Sequence, residues 1–294
     1  FNLPDALAQV VLPDWKTVEI AAHDLGHGIY MLEGFGGNIG VSVGEDGILL
    51  VDDQYAPLTK KIRHALAQIS DQPVRFVVNT HWHPDHTGGN ENFGGAGAVL
   101  VAHDATRIHL VDAIENALID DLLRPSAESL PILTFHDQLT FHLNGETIVA
   151  RHIPPAHTDG DVIVTFEGAN VIHVGDGYFN GYYPFIDVAH NGSIDGMINF
   201  LDSLVEMSDA ETRVIPGHGP IAQRKDVKRY RDDLIEIRRR VAAAIEAGQT
   251  LHEVIASRPL YDFDSRYASE VVKQGDVLRM TYQSLIDNDI SGGR

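Results

Sequence analysis

The order of strand-like and helical patterns predicts an α/β fold, a four-layer αββα sandwich with extra helices at its C-terminal end. Three observations carry this expectation. Each half of the chain runs through several strand-like segments before a helical one. Each half also holds a tight-turn signal between apolar runs, Glu45-Asp46-Gly47 in the first and Asn144-Gly145 in the second. From Lys225 onward the pattern is helical, so residues 1–222 are expected to form the catalytic domain and 223–294 a helical extension packed on it.

Taken in order, residues 1–16 carry Pro4 and Pro13, lack periodicity and read as an irregular arm. Residues 28–32, 39–43 and 48–51 are apolar runs of strand length. The glycine-rich loop 33–38, with Phe35 at its tip, suits either a flap over a site or an ordinary hairpin. Pro57 sits well in a first helical turn, and Ile62, Leu66 and Ile69 follow at helical spacing. Residues 74–78 and 98–101 are strand-like, and 105–123 reads as helix.

The second half repeats the scheme. Strands are expected at 139–143, 147–151, 162–166 and 170–174, a helix near 194–207, and a short strand at 213–215. In the extension, Val227, Tyr230, Leu234, Ile237, Val241 and Ile245 form an apolar stripe that Gly248 ends. Thr250 and Glu253 have capping-box spacing, and a last helical pattern runs near 269–286.

Bulk properties narrow the function. The formal net charge is −20, from 22 Lys+Arg against 42 Asp+Glu, which opposes binding to phosphate backbones. The run Arg238-Arg239-Arg240 follows Asp232, Asp233 and Glu236, as on a solvated helix face. No apolar run approaches the length of a membrane span. The expected partner is therefore a small-molecule substrate, with no nucleic acid and no membrane; oligomeric state is left open. The chain has no cysteine, so disulfides are excluded and any metal site must use His, Asp and Glu. A removed leader would explain a start at Phe1, and the expected location is periplasmic or secreted, otherwise cytoplasmic.

The densest chemistry lies at residues 80–90, where His81, His83, Asp85 and His86 follow an apolar run and precede Gly88-Gly89. Imidazole and carboxylate are the usual zinc donors where thiolate is absent. In an extended chain His81, His83 and Asp85 would project to one side, while His86 would point elsewhere, toward a second metal. Downstream, His157, Asp176 and His218 each sit in a loop or at a strand end, beside glycine or proline. Of the remaining histidines, His103, His152 and His173 lie near those loops and could support them. His23, His27, His64, His109, His136, His142, His190 and His252 read as surface or packing residues.

His81-x-His83-x-Asp85-His86 with Gly88-Gly89, then His157, Asp176 and His218 in that order, resembles the metallo-β-lactamase superfamily over about residues 17–222. The resemblance implies that fold, with two zinc ions at one edge between the sheets. It makes His81, His83 and His157 ligands of the first ion. Asp85, His86 and His218 would hold the second, Asp176 would bridge both, and Asp52 would support the histidine loop from behind. Ions about 3.5–4 Å apart can share a hydroxide that attacks a carbonyl, with the second ion, or Asp85 as proton shuttle, assisting the leaving group.

The resemblance also bears on substrate. Well-known zinc β-lactamases carry cysteine or serine where this chain has Asp176, and a bridging aspartate is similar to glyoxalase-II-type thioesterases and lactonases. The basic residues with which the glyoxalase branch holds glutathione have no counterpart that can be placed here. The expected activity is β-lactamase-like hydrolysis, with lactonase or glyoxalase-II-like thioesterase as alternatives. An iron-dependent redox enzyme is the alternative of another class, against which His83 stands, since oxygen-reducing di-iron relatives carry glutamate there. The aromatics Tyr178, Phe179 and Tyr182, with Phe35 and Tyr55, either line a pocket for an uncharged or partly apolar substrate or pack a long loop.

Overall fold

The computed structural model describes residues 11–116, 123–269 and 271–292. Its first sheet has seven strands in sequence order: β1 (Ala21–Asp24), β2 (Ile29–Glu33), β3 (Ile39–Gly44), β4 (Gly47–Val51), β5 (Val74–Val78), β6 (Val99–His103) and β7 (Leu133–Phe135). Strands β1 to β4 form an antiparallel meander, and β4 to β7 run parallel. Parallel neighbours need a crossover. Helix α1 (Thr59–Ala67) supplies it between β4 and β5. The short α2 (Pro84–Thr87) and α3 (Asn90–Gly94) lie between β5 and β6, and α4 (Asp104–Asn116) follows β6.

The second sheet contains β8 (Gln138–Leu143), β9 (Glu146–His152), β10 (Val162–Phe166), β11 (Val171–His173), β12 (Arg213–Ile215) and β13 (Ala222–Gln223), ordered β13-β12-β11-β10-β9-β8. Its one parallel pair, β11 and β12, is joined through α5 (Ile194–Met207). Four helices follow: α6 (Arg224–Glu246), α7 (Leu251–Ser257), α8 (Asp264–Tyr267) and α9 (Gln274–Gly292).

Strand alternation makes the layers. Leu49 and Val51 of β4 face Val162, Val164 and Phe166 of β10 in the core between the sheets. Their neighbours point outward: Ile48 and Leu50 pack on Leu58, Ile62 and Leu66. On the other side, Ile163, Ile172 and Val214 pack on Met197, Leu201, Tyr230 and Leu234. The order is helix, sheet, sheet, helix, the αββα sandwich. Residues 223–294 share this last core through Val227, Ile237, Val277 and Leu278, each fully buried. Each such side chain stabilises the fold by about 1.5–3 kcal/mol. On the far face of α6, Arg239 and Arg240 both bond Glu236.

Several elements differ from the sequence pattern. Strands β1, β7 and β13 lie at sheet edges and were not marked individually; β1 and β7 have largely exposed residues, so no buried face imposes an alternation. Helix α4 spans Asp104–Asn116, and residues 117–122 of the expected helix fall outside the described residues, as do residues 1–10 of the expected arm. The last helix starts at Gln274, because Ser269 turns the chain first: its Oγ accepts from the Val271 and Val272 amides. Loop 33–38 connects the paired β2 and β3 and is tied down. The Asn38 side chain donates to the carbonyls of Pro216 and Gly219, and Gln54 donates to that of Gly37.

Candidate metal centre

The chemistry-bearing side chains gather at one edge of the sandwich. Asp52 follows β4, His81 to His86 follow β5, His157 lies between β9 and β10, Asp176 follows β11 and His218 follows β12. Asp52 is in the left-handed region at φ 65°, which a non-glycine residue adopts at a cost. That conformation is held by what its carboxylate reaches. It accepts from the Thr80 amide and hydroxyl, both at 2.7 Å, and from His86 Nδ1 at 2.7 Å.

Two donor sets result. His83 Nδ1 lies 3.1 Å from His81 Nε2 and 2.9 Å from His157 Nε2, and Asp176 Oδ2 stands 3.9 and 3.7 Å from those two partners. His81, His83, His157 and Asp176 are all buried. Asp85, His86 and His218 form the second set, with Asp85 Oδ2 3.6 Å from His86 Nε2 and 3.3 Å from His218 Nε2. Asp176 reaches this set with its other oxygen: Oδ1 is 3.1 Å from His86 Nε2 and 3.5 Å from His218 Nε2. Within each set the donor atoms lie within 4.8 Å of one another.

Outer acceptors fix which nitrogen faces inward. His157 Nδ1 donates to the Phe185 carbonyl, His86 Nδ1 to Asp52 and His83 Nε2 to Asp187. His81 Nδ1 lies 3.0 Å from Thr80 Oγ1, whose own proton goes to Asp52. In a neutral ring the other nitrogen then turns a lone pair to the centre. Three converging lone pairs repel unless a cation or proton lies among them. His86 Nε2 and Asp176 Oδ1 are also buried without a hydrogen-bond partner among the described residues; though close, they are not aligned to bond. Orphaned buried donors of this kind fit a pair of divalent cations.

The protonation pattern agrees. Burial holds the pKa of His81 well below its ordinary value and pushes that of His157 down to about 4. Burial also opposes the charged form of His218, but Asp176 and Asp85 outweigh it and push its pKa up to about 9. Against the same penalty, His86 and His218 keep Asp176 well below the usual carboxylate range. Burial likewise opposes the charged form of His86, but Asp176, Asp85 and Asp52 hold its pKa well above the ordinary value, so metal binding would displace protons from His86 and His218.

Close approach needs two glycines. A Cβ at Gly37 would strike the His86 ring, and one at Gly217 would strike Asp176 Oδ1.

Two readings of the sequence are corrected. The extended-strand argument grouped Asp85 with His81 and His83, whereas Pro84 starts a helical turn after His83 and sends Asp85 to the side of His86 and His218. Tyr178 does not line the cavity: it points into the core and meets Tyr230 of α6, ring centroids 5.0 Å apart. Phe35, Tyr55, Phe179 and Tyr182 do border a cavity of about 300 Å³, together with His83, Asp85, Asp176 and His218. The far wall comes from Tyr183, the next residue of that aromatic segment, and from Phe185, Val271, Val272, Asp276 and Met280, which no sequence pattern marked. Nor did any pattern mark Asp187, whose Oδ2 takes both His83 Nε2 at 3.0 Å and His190 Nδ1 at 2.7 Å, so His190, expected as a surface or packing residue, packs as part of the support. His173 holds the site's backbone, donating to the Asn38 carbonyl and accepting from the Gly175 amide. His103 and His152 stack on each other, ring centroids 3.8 Å apart, and His152 Nδ1 also donates to the carbonyl of Asp161, whose carboxylate holds the His157 amide.

Comparison with known proteins places this geometry. The family model described as metallo-beta-lactamase superfamily matches residues 32–218. The lactamase-like protein aptB of Emericella nidulans is 24% identical over 229 residues, which is 73% of this chain and 65% of that protein. The chain thus matches under two thirds of aptB's length. A metallo-beta-lactamase from Pontibacter korlensis superposes with a TM-score of 0.61 at 19% identity, over 74% of this chain and 99% of that one. A double mutant of the sec-alkyl sulfatase PisA1 gives 0.63 at 15% identity, over 88% of this chain and 49% of that one.

Proposed function

The chain belongs to the metallo-β-lactamase superfamily, and on that premise we propose that it is a metal-dependent hydrolase, a dinuclear zinc enzyme that opens a β-lactam, lactone or thioester carbonyl. The observation that supports two ions is Asp176, which turns Oδ2 to His81 and His157 and Oδ1 to His86 and His218. His81, His83 and His157 would hold one ion and Asp85, His86 and His218 the other, with Asp176 shared. Bound there, divalent ions supply Lewis acidity and make water a competent nucleophile near neutral pH.

The chain's own groups supply the rest. Asp85 borders the cavity and keeps some solvent exposure. It takes the proton of the attacking water and delivers it to the leaving oxygen, nitrogen or sulfur. Phe179, Tyr183 and Phe185 shield the same space from bulk water, which strengthens each charge interaction inside it. Burial, then Asp85 and Asp176, raise the pKa of Tyr55, so its phenol stays neutral at the cavity wall.

The test is metal analysis of zinc-loaded protein alongside turnover of a chromogenic cephalosporin, an acyl lactone and a glutathione thioester. Two ions per chain are expected, with turnover lost on chelation and restored by zinc. A chain that takes up no metal, or whose turnover survives chelation, would sink the proposal. Hydrolysis of an alkyl sulfate is a second reading: PisA1 is named as a sulfatase, and the apolar cavity has room for an alkyl chain.

A further inference from the structure

The cavity beside the donor sets has a one-sided charge. Among the described residues, no lysine or arginine borders it, whereas Glu33 and Asp276 do. The undescribed stretches contain a single basic residue, Arg294. The neutral donors on the wall are mostly committed elsewhere. Asn38 spends its amide hydrogens on two carbonyls, Tyr183 donates to the Leu260 carbonyl and Asp264, and Ser269 donates to the Val272 carbonyl. What remains toward the reacting centre is largely aromatic and aliphatic, Phe35, Phe179, Phe185, Val272 and Met280, with the phenols of Tyr55 and Tyr182 as neutral polar groups.

We infer that this cavity selects uncharged substrates with an apolar group beside the scissile bond, an aryl or alkyl lactone or ester, and rejects those bearing a carboxylate or sulfate. The inference rests on the hydrolase reading above and narrows it. An anionic substituent would leave water for a wall that, away from the donor sets and His218, offers it no lysine or arginine, and it would face the carboxylates of Glu33 and Asp276. Glu33 is half-exposed and paired with His23 at 3.0 Å, so it repels less. Asp276, on α9, is the stronger element; its carboxylate is partly buried and accepts from the Lys273 amide. Exclusion by unpaired charge is a common source of specificity. In the reaction, water adds its oxygen to the acyl carbon, the bond from that carbon to the ring or ester oxygen breaks, and the water proton passes to the departing oxygen. The products are an acid and an alcohol.

Matched pairs that differ only in charge test this. A cephalosporin and its methyl ester make one pair, and dihydrocoumarin and a ring-carboxylated dihydrocoumarin the other, with 2-octyl sulfate as the sulfate arm. With the zinc-loaded chain, kcat/KM of each neutral member should exceed that of its anion by at least about tenfold, and 2-octyl sulfate should not be turned over. Asp276→Asn, which keeps the Lys273 contact, should narrow the ratio, and Asp276→Lys should narrow it further, with melting temperatures confirming that both variants fold. Calorimetry on the metal-free chain separates the two ideas. If neither pair is turned over but the neutral dihydrocoumarin still binds about tenfold tighter than its carboxylate, the hydrolase reading falls and the selectivity stands. Equal binding of the pair, a preference for the anion, turnover of 2-octyl sulfate, or a ratio unmoved by Asp276→Lys overturns the selectivity.

Discussion

The two donor sets share one carboxylate but not one environment. His81, His83, His157 and Asp176 are at most 5% exposed, and each histidine among them is braced from behind by Thr80, Asp187 or the Phe185 carbonyl. In the second set only His86 is sealed and braced; the side chain of Asp85 is 16% exposed and that of His218 27%. His218 has its ring stacked on Phe179, 5.6 Å between centroids, in place of a polar brace. The difference teaches a division of labour. On the proposed reading the closed set would retain an ion, while the more exposed set would exchange its ion more readily.

Three experiments strain that comparison, from the largest effect to the smallest. Asp176→Ala removes an oxygen from both sets, so both ions should be lost on dialysis and turnover should fall by more than about a hundredfold; retention of two ions would show that the carboxylate is not shared. Next, His157→Ala and His218→Ala should differ. The second leaves the closed set complete and should retain one ion per chain, whereas the first should retain less than one; equal metal content in the two variants would erase the distinction.

The smallest effect is in the pH dependence of the metal-free chain. His157 has its pKa lowered from 6.5 to about 4, so the unfolded state binds the extra proton between those values and stability rises with pH across them. His218 has its pKa raised from 6.5 to about 9, so its contribution is full below 6.5 and is lost as pH rises toward 9. Thermal melts should therefore fall away on both sides of about pH 6.5, with buried His86, whose pKa is also raised, adding to the alkaline loss. A flat profile from pH 5 to 9, or one rising throughout, would contradict this balance.

How far the sequence could be read depended on whether a residue's role was local. The sandwich was legible because burial on both faces of β4 and β10 leaves continuous apolar runs, as at residues 48–51 and 162–166. His81, His83 and His86 were legible because the structure brings together residues that are also neighbours in sequence. Asp85 was misgrouped by the strand argument since one proline changes the chain's period from two to that of a helix. Tyr178 and Phe179 look alike as adjacent aromatics, yet an extended residue at 178 puts them on opposite sides, one toward α6 and the other toward His218. Asp187 could not be found from pattern: it sits 104 residues from His83, and its near neighbour His190 lies outside any ligand-like motif. The wall from Val271 to Met280 was hidden for the same reason, since an amphipathic helix announces that it packs and not what it packs beside.

That wall has a consequence for descent. The residues that would hold ions lie between His81 and His218, while much of the surface that a substrate's side group would touch lies beyond Ser269. Reactivity and taste are thus inherited on separate lengths of chain. Substitutions at Val271, Val272, Asp276 or Met280 can change which molecules are admitted without disturbing a single donor atom. A lineage could redirect this chain to a new substrate by drifting within residues 271–280, keeping its old chemistry throughout.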